Sequence, residues 1–175
     1  MSPSTADDWS AAVYESLVAA DVRQIAVVPD TAQRGLIERC GRETRWRMVT
    51  LTTEEEGVAM LAGAWLGGQR GALLMQSSGV GNCFNMLGMT LSCRFPLLMV
   101  VTLRGEAGEF NPWMVPLGRV AQELLERMGV TCVRVDRADE AAHAVDAAAR
   151  MAFEGLQGVA VLLTQKLVGA RTLGP

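Results

Sequence analysis

The chain has 175 residues, half of them hydrophobic, with 16 basic and 19 acidic side chains and a formal net charge of -3. That length fits a single domain over residues 1–175, and the charge balance argues against a nucleic-acid or anionic-membrane surface. Lys166 is the only lysine and the arginines are scattered, so no basic patch can be drawn.

Short β-branched runs alternate with longer segments of helical period, the pattern of an α/β protein. In chain order the spacing predicts a helix from about residue 8 to 20, the strand "QIAVVP", a helix from about 31 to 40 and a short strand near "WRMVTL". A helix after Thr53, the strand "GALLMQ", a helix from about 81 to 92 and the strand "PLLMVVT" come next. A loop over 103–116, a helix to Met128, the strand "TCVRV", a helix over 138–153 and the strand "GVAVLLT" complete the chain. Nearly all-apolar strands belong to a parallel sheet covered on both faces, so the expected fold is a doubly wound, mostly parallel six-stranded sheet. In such a sheet ligands sit beyond the carboxyl ends of the strands. The loops that matter are then "VVPDT", "TLTTEEEG", "MQSSGVGN" and "VTLRGEAGEFNPW". The first several residues and "GARTLGP" are the ends expected to fray.

Cys40, Cys83, Cys93 and Cys132 have no C-x-x-C spacing and no neighbouring histidine, so they signal neither zinc nor redox chemistry and read as free thiols. No signal-peptide pattern opens the chain and no apolar run approaches the roughly 18 residues of a spanning helix, which points to a cytoplasmic protein. His143, the sole histidine, lies in "EAAHAVDAAA", far from every glycine loop, so Ser-His-Asp chemistry is disfavoured.

Three motifs carry candidate chemistry. In "TTEEEGVAMLAGAWLGG", Thr53 and Glu56 match a capping box, and the helix dipole favours Glu54 and Glu55 in the first turn. The helix that follows has an apolar stripe of Val58, Leu61, Ala62 and Trp65 and an opposite face of Ala59, Gly63 and Gly67, so it is expected to be buried all round. A carboxylate at its start then needs a specific partner. "QSSGVGNCFN" is a glycine-rich strand-to-helix turn that lets backbone donors approach an anion or a ring; a plain tight turn with positive φ, capped by Ser78 and Asn82, explains it equally. It lacks the third glycine of a dinucleotide fingerprint and a Walker lysine. "RGEAGEFNPWMVP" is long enough for a lid or a subunit contact and carries Phe110, Trp113 and Met114.

Taken together, "VPDT", "EEEGVAMLAGAWLGG", "LLMQSSGVGN", "PLLMVVTLRGE" and "LGRVAQELLERMGV" make residues 26–128 resemble the pyrimidine-binding domain of thiamine-diphosphate enzymes, in the group of sulfopyruvate and phosphonopyruvate decarboxylases. The resemblance implies thiamine diphosphate as cofactor and a two-subunit 2-oxo-acid decarboxylase as the activity, with carboligation left open. It implies a glutamate that hydrogen-bonds the cofactor's aminopyrimidine and favours its imino tautomer. Counting back from the family's helical aromatic, here Trp65, places that role on Glu55, with Glu54 and Glu56 as alternatives. Ser78, Gly79, Asn82 and Asn85 would line the pyrimidine cleft, and Arg104, Phe110 and Trp113 would meet substrate.

The family's G-D-G motif, which holds the diphosphate and magnesium (Mg2+), does not occur here, so the resemblance implies a separate diphosphate-binding β subunit in an α2β2 or larger assembly, with no metal ligand in this chain. The chain departs from the family at "FNPWM", where an acidic, histidine-containing segment is expected, and at Leu103, where a histidine is expected. Both changes leave a less polar 2-oxo acid open as substrate. A non-catalytic scaffold or regulatory homologue and a Rossmann-like nucleotide binder are the rival readings.

Overall fold

The computed structural model describes residues 8–169; the two ends expected to fray fall outside that range apart from Gly169. Six strands form one parallel sheet in the order β2-β1-β3-β4-β6-β5. They are β1 (Val22–Val27), β2 (Arg47–Thr50), β3 (Arg70–Gln76), β4 (Leu97–Thr102), β5 (Thr131–Val135) and β6 (Gly158–Leu163). In the centre, Leu73 pairs with Met99 and Met99 with Ala160, with β4 and β6 buried along their whole lengths, so both faces of these strands are apolar.

Helices α1 (Trp9–Ala19), α2 (Arg34–Arg42) and α7 (Ala141–Gly155) cover one face, where Leu17, Leu36, Val145 and Phe153 pack on Ile25, Leu74 and Val100. Helices α3 (Glu54–Leu66), α4 (Ser78–Cys83), α5 (Gly88–Cys93) and α6 (Val115–Arg127) cover the other, where Val58, Leu61, Val80, Leu87 and Leu125 pack on Leu73, Met75 and Met99. The chain leaves β1 in one direction through α2 and β3 in the other through α4. The switch point therefore lies above the carboxyl ends of β1 and β3, between "PDT" and "SSGVGN".

Three expectations are corrected. The helix predicted over 81–92 is two short ones, α4 and α5, joined through Phe84–Leu87, and α4 starts at Ser78 directly from β3. Neither Gly79 nor Gly81 has positive φ, so "SSGVGN" is no tight turn. The glycines are there for space: a Cβ on Gly79 would lie 2.5 Å from Glu54 Cγ, and one on Gly81 would lie 3.2 Å from Leu117 Cδ2. The helix α3 is buried on one side only. Val58, Leu61 and Ala62 are buried, whereas Ala59, Gly63 and Gly67 are exposed. A last short helix, α8 (Gln165–Val168), capped by the Thr164 side chain accepting from Leu167 N, was not predicted.

Candidate functional site

Each of the three consecutive glutamates at the start of α3 has a different environment. Glu56 reaches back so that its Oε2 accepts from the backbone N–H of Thr52 at 3.0 Å. Thr53 sits at the N-cap with extended backbone but makes no side-chain cap bond, so the expected capping box is half formed and shifted by one residue. Glu54 turns inward and is 5% exposed; its Oε2 accepts from Asn82 Nδ2 of α4 at 2.7 Å, and its Cγ, Cδ and Oε1 fill the space left by Gly79. Glu55 is exposed. Burial first, and then the charges of Glu54 and Glu55, push the Cys83 thiol of α4 up to about 12.

The expected lining residues therefore divide. Gly79 and Asn82 are engaged with Glu54, while Ser78 is half-buried and Asn85 is exposed. The chain also exposes Ala59 and Gly63 of α3, Phe84 after α4, and Val120 of α6. Among the described residues no group of three or more His, Cys, Asp or Glu side chains is placed to hold a metal ion.

The loop after β4 is more ordered than its composition suggests. Gly105 takes φ of +81°, and the next turn comes so close that a Cβ there would lie 2.8 Å from Met114 O. Arg104 is buried and points at Glu109: Nε donates to Oε2 at 2.6 Å and the terminal amino group to Oε1 at 2.8 Å. Glu109 also accepts from Asn111 N at 3.0 Å and Gln165 Nε2 at 3.2 Å. This bidentate pairing holds the Glu109 carboxyl down at about 2, against the opposing effect of desolvation, and raises Arg104. Arg104 is thus paired with an acid of its own loop inside the fold. Phe110 and Trp113, at 39% and 70% exposed, do project outward.

The sequence reading missed several polar residues that tie the strand ends together. Thr102 Oγ1 donates to Asp30 Oδ2 at 2.7 Å, and Gln33 Nε2 donates to the carbonyls of Met75 and Val100. Glu106 accepts from Gln165 N at 2.7 Å and pairs with Arg134. A cavity of about 590 Å³ lies between this loop and α6, lined by Glu106, Glu109, Gly118, Arg119, Gln122 and Arg134 among others. The second acid of R-G-E-x-x-E was a signal available in the sequence; the partners from β5 and α8, being distant in the chain, were not.

The fold is thus a doubly wound α/β sheet with an acidic helix start beside a glycine-spaced helix at the carboxyl ends of its strands, where folds of this class hold their ligands. The chain belongs to the family described as thiamine pyrophosphate enzyme, N-terminal TPP binding domain, which it matches over residues 8–110. It is 30% identical over 155 residues to the sulfopyruvate decarboxylase subunit alpha of Methanococcus maripaludis, covering 88% of this chain and 93% of the relative. The sulfopyruvate decarboxylase subunit alpha of Methanothermobacter thermautotrophicus is 32% identical over 89% of this chain and 95% of its own length. The phosphonopyruvate decarboxylase of Streptomyces viridochromogenes is 33% identical over 81% of this chain but only 36% of its own length. Among solved structures, a 2-oxoglutarate:ferredoxin oxidoreductase from Magnetococcus marinus superimposes with a TM-score of 0.72 over 91% of this chain and 29% of that one; at 17% identity this shows the fold alone.

Proposed function

We propose that this chain is the pyrimidine-binding subunit of a two-subunit thiamine-diphosphate-dependent 2-oxo-acid decarboxylase. The observation that carries the site assignment is the division of labour among the three glutamates. Glu56 is used on the Thr52 N–H and Glu54 on Asn82, whereas Glu55 presents an exposed carboxylate in the first turn of α3. Glu55 is then the acceptor for the ring nitrogen of the aminopyrimidine, as the spacing to Trp65 implied. The donor set fits that half of the cofactor: an exposed carboxylate lies in the first turn of α3, the half-buried Ser78 and exposed Asn85 lie in and just after the neighbouring α4, and glycines at 79 and 81 allow close helix packing. When bound, thiamine diphosphate supplies the electron sink that lets carbon dioxide leave a 2-oxo acid. Glu55 holds and exchanges the proton at the pyrimidine nitrogen, and α3 keeps it in place.

The other half of the cofactor needs cations, and α3 and α4 carry no lysine or arginine, so the diphosphate and its magnesium are assigned to a separate β subunit. The relatives that this chain spans almost end to end are named as alpha subunits, which supports that reading. The exposed small-residue side of α3, together with the exposed Phe84 and Val120, is assigned to the partner, in an α2β2 or larger assembly. Phe110 and Trp113 would border a substrate less polar than sulfopyruvate, because the acidic and imidazole groups expected there are replaced. Four free cysteines accord with a cytoplasmic location, and no helix among the described residues is long and apolar enough to cross a membrane.

The engagement of Arg104 by Glu109 favours one second reading, a non-catalytic homologue that retains the fold. A calorimetric titration of thiamine diphosphate with magnesium into the isolated chain and into the chain co-expressed with its partner separates the cases. Tight binding by the complex and weak binding by the chain alone is expected. Equal affinity for both would overturn the shared site, and no binding to either would leave the scaffold.

A further inference from the structure

We infer that Asn82 and Glu54 form a positioning pair that sets the direction of Glu55; the inference rests on the proposed role of Glu55. A carboxylate that is 5% exposed is costly to bury, and Glu54 is given the neutral Asn82 amide as its side-chain partner. That bond joins the first turn of α3 to α4, which already packs against it at Gly79, and it lies one residue from Glu55. The fit leaves no slack. A Cβ on Gly79 would stand 2.5–2.6 Å from Glu54 Cγ, Cδ and Oε1, so only glycine lets α4 approach closely enough for the amide to reach the acid. With Glu54 drawn inward and Glu56 drawn back to Thr52, the helical rotation between neighbours leaves Glu55 pointing in a third direction, exposed at the start of α3. Asn82 thus acts through Glu54 and the α3 backbone rather than by touching the cofactor.

The test uses the complex with its partner subunit and compares wild type with Asn82→Ala, Glu54→Gln and the exchanged pair Glu54→Gln/Asn82→Asp, which keeps the hydrogen bond with donor and acceptor reversed. Hydrogen–deuterium exchange without cofactor is expected to rise in Asn82→Ala within peptides covering 52–60 and 76–86 and nowhere else. On turnover of a 2-oxo acid, kcat is expected to fall by about tenfold to a hundredfold with substrate KM unchanged, since small displacements of a catalytic group have effects of that size. The exchanged pair is expected to restore both readouts. Unchanged exchange and kcat in Asn82→Ala would overturn the inference. So would a loss that follows a general drop in melting temperature, which is what a merely structural bond would give. A wild-type complex that turns over no 2-oxo acid would remove the role of Glu55 and this inference with it, and that failure is visible without any variant.

Discussion

Replacing Glu109 with glutamine removes one charge from a buried pair and leaves the shape unchanged. In the wild type, Glu109 and Arg104 side chains are 1% and 4% exposed and share two hydrogen bonds of 2.6 and 2.8 Å. Holding the Glu109 carboxyl at about 2 instead of its ordinary 4.5 corresponds to about 3 kcal/mol of preference for the charged form in the folded chain. Leaving the Arg104 guanidinium buried beside a neutral amide independently suggests a loss of about 3–5 kcal/mol. For a chain of this length that is a drop in melting temperature of about 8–14 °C at neutral pH. The pH dependence gives a second handle. The folded-state value is depressed, so the stabilisation is fully present above about pH 5 and is lost as pH falls toward 2. Urea denaturation followed by far-ultraviolet circular dichroism between pH 7 and pH 3 measures both. The difference between wild type and Glu109→Gln should be largest at pH 7 and shrink on acidification. A variant within about 1 kcal/mol of wild type at pH 7, the range of an exposed pair, would refute the buried-pair argument.

Two further outcomes follow from packing and burial. A Cβ on Gly118 would lie 1.8 Å from the carbonyl oxygen of Arg104, so Gly118→Ala must push α6 off the loop; it should cost about 3 kcal/mol or more in the same denaturation assay, and wild-type stability would contradict the close approach. Burial holds the Cys40, Cys83 and Cys132 thiols up at about 12, whereas Cys93 is exposed. Iodoacetamide labelling of the native chain read by mass spectrometry should modify Cys93 first, and labelling of Cys83 at the same rate would contradict its placement against Glu54 and Glu55.

The strands were legible because a sheet covered on both faces demands continuous apolar runs, and "GALLMQ" and "PLLMVVT" can hardly be read otherwise. The helix predicted over 81–92 failed for a local reason: its apolar residues continue through "CFNMLGMTL" without a stop signal, yet the chain turns at Phe84–Leu87. The all-apolar α3 misled in an instructive way. Alanine and glycine on its outer side were read as buried, but they face outward and are available to another chain.

At the site, sequence spacing singled out Glu55 and left Glu54 and Glu56 open; what distinguishes them is the partner each neighbour finds, Asn82 for one and the Thr52 N–H for the other. Such partners come from a three-dimensional approach that periodicity does not encode. Arg104 shows the same gap, because its pairing with Glu109, and the bond from Gln165 to that acid, come from a folding of the loop that the arginine's place after a strand does not announce.

The most direct measurement is steady-state decarboxylation of a panel of 2-oxo acids by the chain assembled with its diphosphate-binding partner, comparing wild type with Glu55→Gln. A thiamine-diphosphate-dependent activity that falls by about a hundredfold to ten-thousandfold in the variant, with the complex still assembled, is the predicted result. Activity unchanged by Glu55→Gln would contradict the account.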